Sequence, residues 1–229
     1  MHLGIYGNWS FGGDESFTGA SSIGAPRKIG EKEYGGGEHA EYSGPPQPKA
    51  TTRCRIVSEH GWADLVGPTV CRTLTPDEVA VVRGKLGPDP LNADADPGQF
   101  YRAAAKSSRP IGVILMDQAA ISGVGNIFRA ESLYRQKIDP LRPGKTLSDD
   151  ELRRLWDDNK HLLTIGVRVG RIITTEQQDR PGIPETEAWP DHANYVYMRH
   201  GQKCPRCSAT IRMEEIAGRK LYWCPGCQK

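Results

Sequence analysis

Cys204-Pro205-Arg206-Cys207 and Cys224-Pro225-Gly226-Cys227, two Cys-x-x-Cys pairs with sixteen residues between them, set the frame for the whole of this 229-residue chain. Four thiolates on two tight turns at this spacing can surround one tetrahedral Zn2+, and the intervening 210–214 and 220–223 suit the two strands of a hairpin. A module of about thirty residues is too small to build an apolar core, so the ion's task is to fold it. With all four ligands supplied by cysteine, no coordination position is left for water, and the zinc is read as structural. The module then presents Ala217-Gly218-Arg219-Lys220 at the hairpin tip, two cations suited to a phosphate oxygen or a base edge, although such a pair also serves as plain solvated charge.

Charge gathers in the same place. Residues 193–229 hold seven Lys/Arg against two Asp/Glu, whereas residues 1–96 hold nine against thirteen, and the whole chain is only +2. A basic C-terminal module points to a polyanion partner, with Arg206, Arg219 and Lys220 as its cations. No stretch reaches the roughly eighteen apolar residues of a membrane span, and Met1 to Gly7 has no basic leader, so a soluble, non-secreted protein is expected. Disulfides are then not expected, and Cys54 and Cys71 are read as ordinary semi-buried thiols.

Working back from the ribbon, the chain changes character twice. Leu3–Trp9, Arg55–Val57, Ala63–Val66 and Thr69–Cys71 have strand composition, and the Gly- and Pro-rich residues 12–50 read as one long loop. From Thr75-Pro76-Asp77-Glu78, an N-cap with a capping-box Glu, helices take over: one with Val79, Val82 and Leu86 on a face, one opened at Asp96-Pro97-Gly98-Gln99 with Phe100, Ala103 and Ala104, and an apolar helix over 111–122. A second capping box, Ser148 with Glu151, starts an amphipathic helix whose core face is Leu152, Leu155, Trp156, Leu162 and Leu163. Residues 175–190 read as a linker or loop before Tyr195-Val196-Tyr197 opens the last module. The class is α+β, divided as 1–74, 75–192 and 193–229.

Between two of these helices lies Gly123-Val124-Gly125-Asn126. Two glycines allow positive φ and close approach of backbone to a ligand, and Asn126 as the cap of the next helix would leave its first N–H groups facing outward as a phosphate seat. Helix hairpins also use glycine for geometry alone.

Leu115-Met116-Asp117-Gln118, Gly123 to Ile127, Ala130-Glu131-Ser132-Leu133, Asp139-Pro140 and Arg219 to Cys227, taken together and in this order, resemble the formamidopyrimidine-DNA glycosylase/endonuclease VIII family. The resemblance implies an N-terminal β-sandwich, here partial, a helix-two-turn-helix domain, a four-cysteine zinc ribbon with one structural zinc, and damaged duplex DNA as the partner of a monomer in the bacterial cytoplasm, at the nucleoid. It implies base-excision repair: a bifunctional glycosylase and abasic-site lyase that flips out an oxidised base. Tyr222-Trp223 and Gly112 resemble the endonuclease VIII-like branch, which acts on pyrimidines. By position, Asn126 with Gly125 corresponds to the family's phosphate-binding turn, Arg219 with Lys220 to the ribbon residues gripping phosphates beside the lesion, and Arg219 also to an aid in δ-elimination. Ile5 and Tyr6 fall where the family fills the gap left by the extruded base, or else they are sandwich core.

One departure stands out. Family members begin Met-Pro-Glu-Gly, and the proline amine attacks the sugar C1′ with Glu and a later Lys assisting, whereas here positions 2 and 3 are His2 and Leu3. The segment around His2-Leu3-Gly4 resembles one from further inside the family's chains, so that Pro, Glu and Lys have no counterpart in this reading. Two alternatives therefore stand beside the enzyme: a non-catalytic binder of damaged or abasic DNA, and a ribbon-based interaction module.

Overall fold

The first four strands pair in the antiparallel order β2-β1-β4-β3, with β1 at Asn8–Gly13, β2 at Ser22–Gly24, β3 at Thr52–Val57 and β4 at Gly61–Val66. The computed structural model describes residues 1–4, 6–17, 22–24, 42–189 and 191–229. It divides into two compact units, Met1–Asp77 and Glu78–Lys229. In the first, β4 is the central ribbon, paired with β1 from Asn8↔Val66 to Gly13↔Gly61 and with β3 across a bulge between Thr52 and Cys54. Leu65 is fully buried, and the nearby Asp64 carboxylate takes both Nε and Nη2 of Arg55 at 2.7 Å. That bidentate pair holds the Asp64 pKa below the ordinary carboxylate value, against the upward push of burial.

Several strand expectations shift here. The first strand begins at Asn8 and not at Leu3, and it runs through Gly12 and Gly13, because those glycines pair with Trp62 and Gly61 of β4. Thr69–Cys71 is no strand: only Val70 bridges to His2. Most of the expected long loop, together with Ile5, lies outside the described residues.

The second unit carries α1 (Pro76–Arg83, which starts just before the boundary), α2 (Gly98–Ala105), α3 (Ile111–Ile114), α4 (Asn126–Arg135), α5 (Asp149–Val169) and the hairpin β5 (Arg212–Ile216) with β6 (Arg219–Trp223). Its main core collects Phe100 of α2, Ile111 and Ile114 of α3, Leu133 of α4, and Leu152, Leu155 and Trp156 of α5. α5 begins as expected, with the Ser148 hydroxyl accepting from the Glu151 N–H while the Glu151 carboxylate accepts from the Ser148 N–H. Gly170 ends it in the left-handed region at φ +72°.

One expectation is corrected in this unit, and another is refined. The apolar run 111–122 is one short helix followed by turns, because Asp117 draws the Ala119 N–H to its carboxylate and the Ala120 N–H to its carbonyl. Residues 175–189, expected as a linker or loop, are loop with two short 3-10 turns, and Ala188 and Trp189 at their end pack with Ile173 and Ala193 into a small core against Ile165 and Val169. The apolar residues of α1, in contrast, are exposed.

Candidate nucleic-acid interface and metal cluster

The four cysteines come together at the end of the second unit. Their Sγ atoms all lie within 4.8 Å of one another, with Cys207 and Cys224 3.3 Å apart and Cys204 and Cys227 3.8 Å apart. The surroundings fit a metal. A Cβ at Gly226 would stand 2.8 Å from Cys207 Sγ, so only glycine lets the second turn close over the cluster. Burial disfavours the Cys204 thiolate, yet the Tyr134 hydroxyl at 3.2 Å and the N–H groups of Arg206 and Cys207 bring its pKa down to about 7. Cys204, Cys207, Cys224 and Cys227 would hold one structural Zn2+ whose bonds replace the core this small module lacks.

The ribbon is anchored to α4 through Tyr134, Ala130, Tyr195 and Tyr222. Glu131, fully buried, accepts hydrogen bonds from the N–H groups of Tyr195, Val196 and Tyr197 at 2.7–2.8 Å and from Thr174 Oγ1 at 2.6 Å. Arg206 lies over the Tyr195 ring at 4.6 Å and pairs with Asp179 at 2.7 Å. It is thus an internal tie between the ribbon and residues 176–179, not the free cation expected from sequence.

These anchors bring Asn126 and Lys220 together. The sequence makes Asn126 the cap of α4, but the cap residue is Gly125, in extended conformation and with no side chain to bond. Asn126 is the first helical residue, and its Nδ2 donates instead to the Lys220 carbonyl at 3.0 Å, 94 residues along the chain. The turn before it is held by Gln118, whose Oε1 accepts from the Gly123 N–H at 3.0 Å and whose Nε2 donates to the Val124 carbonyl at 2.8 Å. Of the two turn glycines only Gly123 uses positive φ, at +83°, while the space a Cβ of Gly125 would enter is open.

The hairpin tip is narrower than expected. Ala217 and Gly218 alone make the turn, both at positive φ as a type I′ connection requires, and Arg219 and Lys220 begin β6. Arg219 is half-buried and Lys220 exposed, and neither forms an ion pair among the described residues. Tyr6, in the other unit, is 82% exposed, which removes its reading as sandwich core.

Sequence reasoning passes over one residue at this junction. Arg129, on the first turns of α4, has no exposed surface; its Nη2 donates to Asn126 Oδ1 and, at 3.3 Å, to the Lys220 carbonyl, and its Nη1 to the Gly112 carbonyl at 3.4 Å. Burial, and then the charge of Arg219, lower its pKa to about 10. A cation at a helix N-terminus, where the dipole disfavours it, is the signal available from sequence.

Comparison with known proteins meets the same residues. The formamidopyrimidine-DNA glycosylase H2TH domain matches residues 86–178, and the zinc finger found in FPG and IleRS matches 201–229. Endonuclease 8 1 of Mycobacterium tuberculosis is 43% identical over 184 residues, which cover 80% of this chain and 68% of that one. The chain belongs to the formamidopyrimidine-DNA glycosylase/endonuclease VIII family. A formamidopyrimidine-DNA glycosylase of Thermus thermophilus is 38% identical over 150 residues, 63% of this chain and 54% of its own. The Lactococcus lactis Fpg, solved as a complex with DNA containing an abasic site, shares the fold at a TM-score of 0.66 and 22% identity, over all of this chain and 73% of its own. The α+β class with helix-two-turn-helix domain and four-cysteine ribbon is therefore the family fold.

Proposed function

We propose that this chain is a base-excision repair DNA glycosylase acting on damaged duplex DNA, and that the joint between the α4 N-terminus and the ribbon hairpin grips the phosphates beside the lesion. Family membership supports the first part. The second is carried by the Asn126–Lys220 hydrogen bond, which joins the glycine turn and the hairpin into one surface bearing Arg219 and Lys220. The open approach to Gly125 and the positive end of the α4 dipole suit a phosphate oxygen there. In this reading the protein acts as a monomer in the bacterial cytoplasm, at the nucleoid, removes oxidised bases, pyrimidines before purines, and cleaves the resulting abasic site, with Arg219 serving δ-elimination. Gly125, Asn126, Arg219 and Lys220 bind DNA, and Ile5 and Tyr6 fill the emptied stack.

A second reading, a non-catalytic binder of damaged or abasic DNA, is favoured by the make-up of the same cluster. Amide, guanidinium and backbone groups hold phosphate, and among the described residues none of them has a carboxylate partner for acid–base work. Borohydride trapping on an abasic-site duplex separates the two. A covalent adduct with strand cleavage, formed through the Met1 amine or a lysine in place of the family's proline, is the result expected of the enzyme; tight, lesion-selective binding with neither would establish the binder instead.

A further inference from the structure

Arg129 breaks three rules at once. It is a cation in the first turns of a helix, where the dipole opposes positive charge. It is completely buried, yet no carboxylate pairs with it among the described residues. Its Nε, also buried, has no hydrogen-bond partner. Buried charges in proteins are ordinarily paired, and an unpaired one is retained where an outside ligand completes it. The charge of another cation, Arg219, adds to burial in lowering its pKa to about 10.

Its hydrogen bonds aim at the proposed seat. Nη2 reaches both Asn126 Oδ1 and the Lys220 carbonyl, and so fixes the rotamer of the carboxamide and the start of β6 together. Because Arg129 can only donate, the Asn126 oxygen must face it, which leaves the amide nitrogen directed toward the Lys220 carbonyl and any arriving acceptor.

Resting on the reading that this joint binds DNA phosphate, we propose that Arg129 is a positioning residue of the phosphate seat: it orients Asn126 and the β6 strand start, and it lends the seat a buried positive charge that the DNA phosphate neutralises. Two guanidiniums without a carboxylate suit an anion, and the backbone of the lesion strand is the anion that the proposed function brings there.

The test is fluorescence anisotropy with a duplex carrying a tetrahydrofuran abasic analogue, titrated across a series of KCl concentrations with the full chain and three variants. Arg129→Met removes charge and fork, Arg129→Gln keeps a donor without charge, and Arg129→Lys keeps charge without the planar fork. Circular dichroism and thermal melting report folding. We expect Met and Gln to weaken binding about 10- to 100-fold and to flatten the slope of log Kd against log salt by about one, with Lys restoring the slope but only part of the affinity. Folded Met or Gln variants with the wild-type slope would overturn the inference, whether or not their affinity falls, since a packing role alone leaves the slope unchanged. Should Met fail to fold, the Gln and Lys variants decide by the same criterion. A wild-type chain that does not distinguish the abasic duplex from undamaged duplex would instead remove the underlying reading, and the inference with it.

Discussion

Asn126 is half-buried between two partners: the Lys220 carbonyl and the Arg129 guanidinium. Asn126→Asp puts a carboxylate where Arg129 lacks one, so the free protein gains an internal ion pair at a helix N-terminus while the seat loses its capacity for phosphate. Stability should rise by about 1 kcal/mol in urea unfolding, the charge-assisted bond outweighing the lost bond to Lys220, and affinity for abasic duplex should fall more than about tenfold. Two quantities moving in opposite directions identify the site; a variant that binds as tightly as wild type would remove Asn126 from it. Single residues are only partly legible in the sequence. The glycine turn and the pair Arg219-Lys220 are visible because they are contiguous, whereas the use of Asn126 and the burial of Arg129 depend on β6, more than 90 residues away.

Elements whose signals are local are the most legible. The α5 start is readable because the capping box is written within four residues, Ser148 to Glu151. The same box has a pH consequence. A hydrogen-bonded pair with Arg142 at 2.7 Å, then the Ser148 N–H, hold the Glu151 pKa at about 2 against an ordinary 4.5. A depressed folded-state pKa stabilises the fold above the unfolded value, and that contribution is lost as pH falls from 4.5 toward 2. Glu151→Gln should therefore destabilise at pH 7 by about 1–3 kcal/mol, and the gap to wild type should narrow from about pH 4.5 and close toward about pH 2 in denaturant melts at several pH values. A gap that stays constant with pH would show that the carboxylate's charge is idle. The ribbon is legible for a similar reason, since cysteine spacing is itself a geometric constraint. The run 111–122 is not, because its apolar residues are buried on several sides of turns and imitate a helix's periodicity without being one. Arg206 is misread from sequence because its partners, Asp179 and the Tyr195 ring, include a residue from a stretch that looks like linker.

Across the whole molecule, two compact units carry different structural parts. The second, Glu78–Lys229, holds the core, the cysteine cluster and the joint of turn and hairpin, tied by Glu131 at its centre. The first holds a four-stranded antiparallel sheet whose Ile56 and Val57 are exposed, as is Tyr6 before β1. No helix among the described residues is long and apolar enough to cross a membrane. The order of strands, helices and ribbon is readable from composition and periodicity, while the boundaries of β1 are set by pairing with β4, which a single strand's sequence does not contain. Recognition of damaged duplex through the joint of Asn126 and Arg219 is best tested by the affinity of wild type and Arg219→Ala for matched abasic and undamaged duplexes at one salt concentration. Wild type should prefer the abasic duplex, and Arg219→Ala should lose about 1–3 kcal/mol of abasic-duplex binding while remaining folded. Equal affinity of wild type for the two duplexes, or an Arg219→Ala variant as tight as wild type, would contradict recognition through this joint.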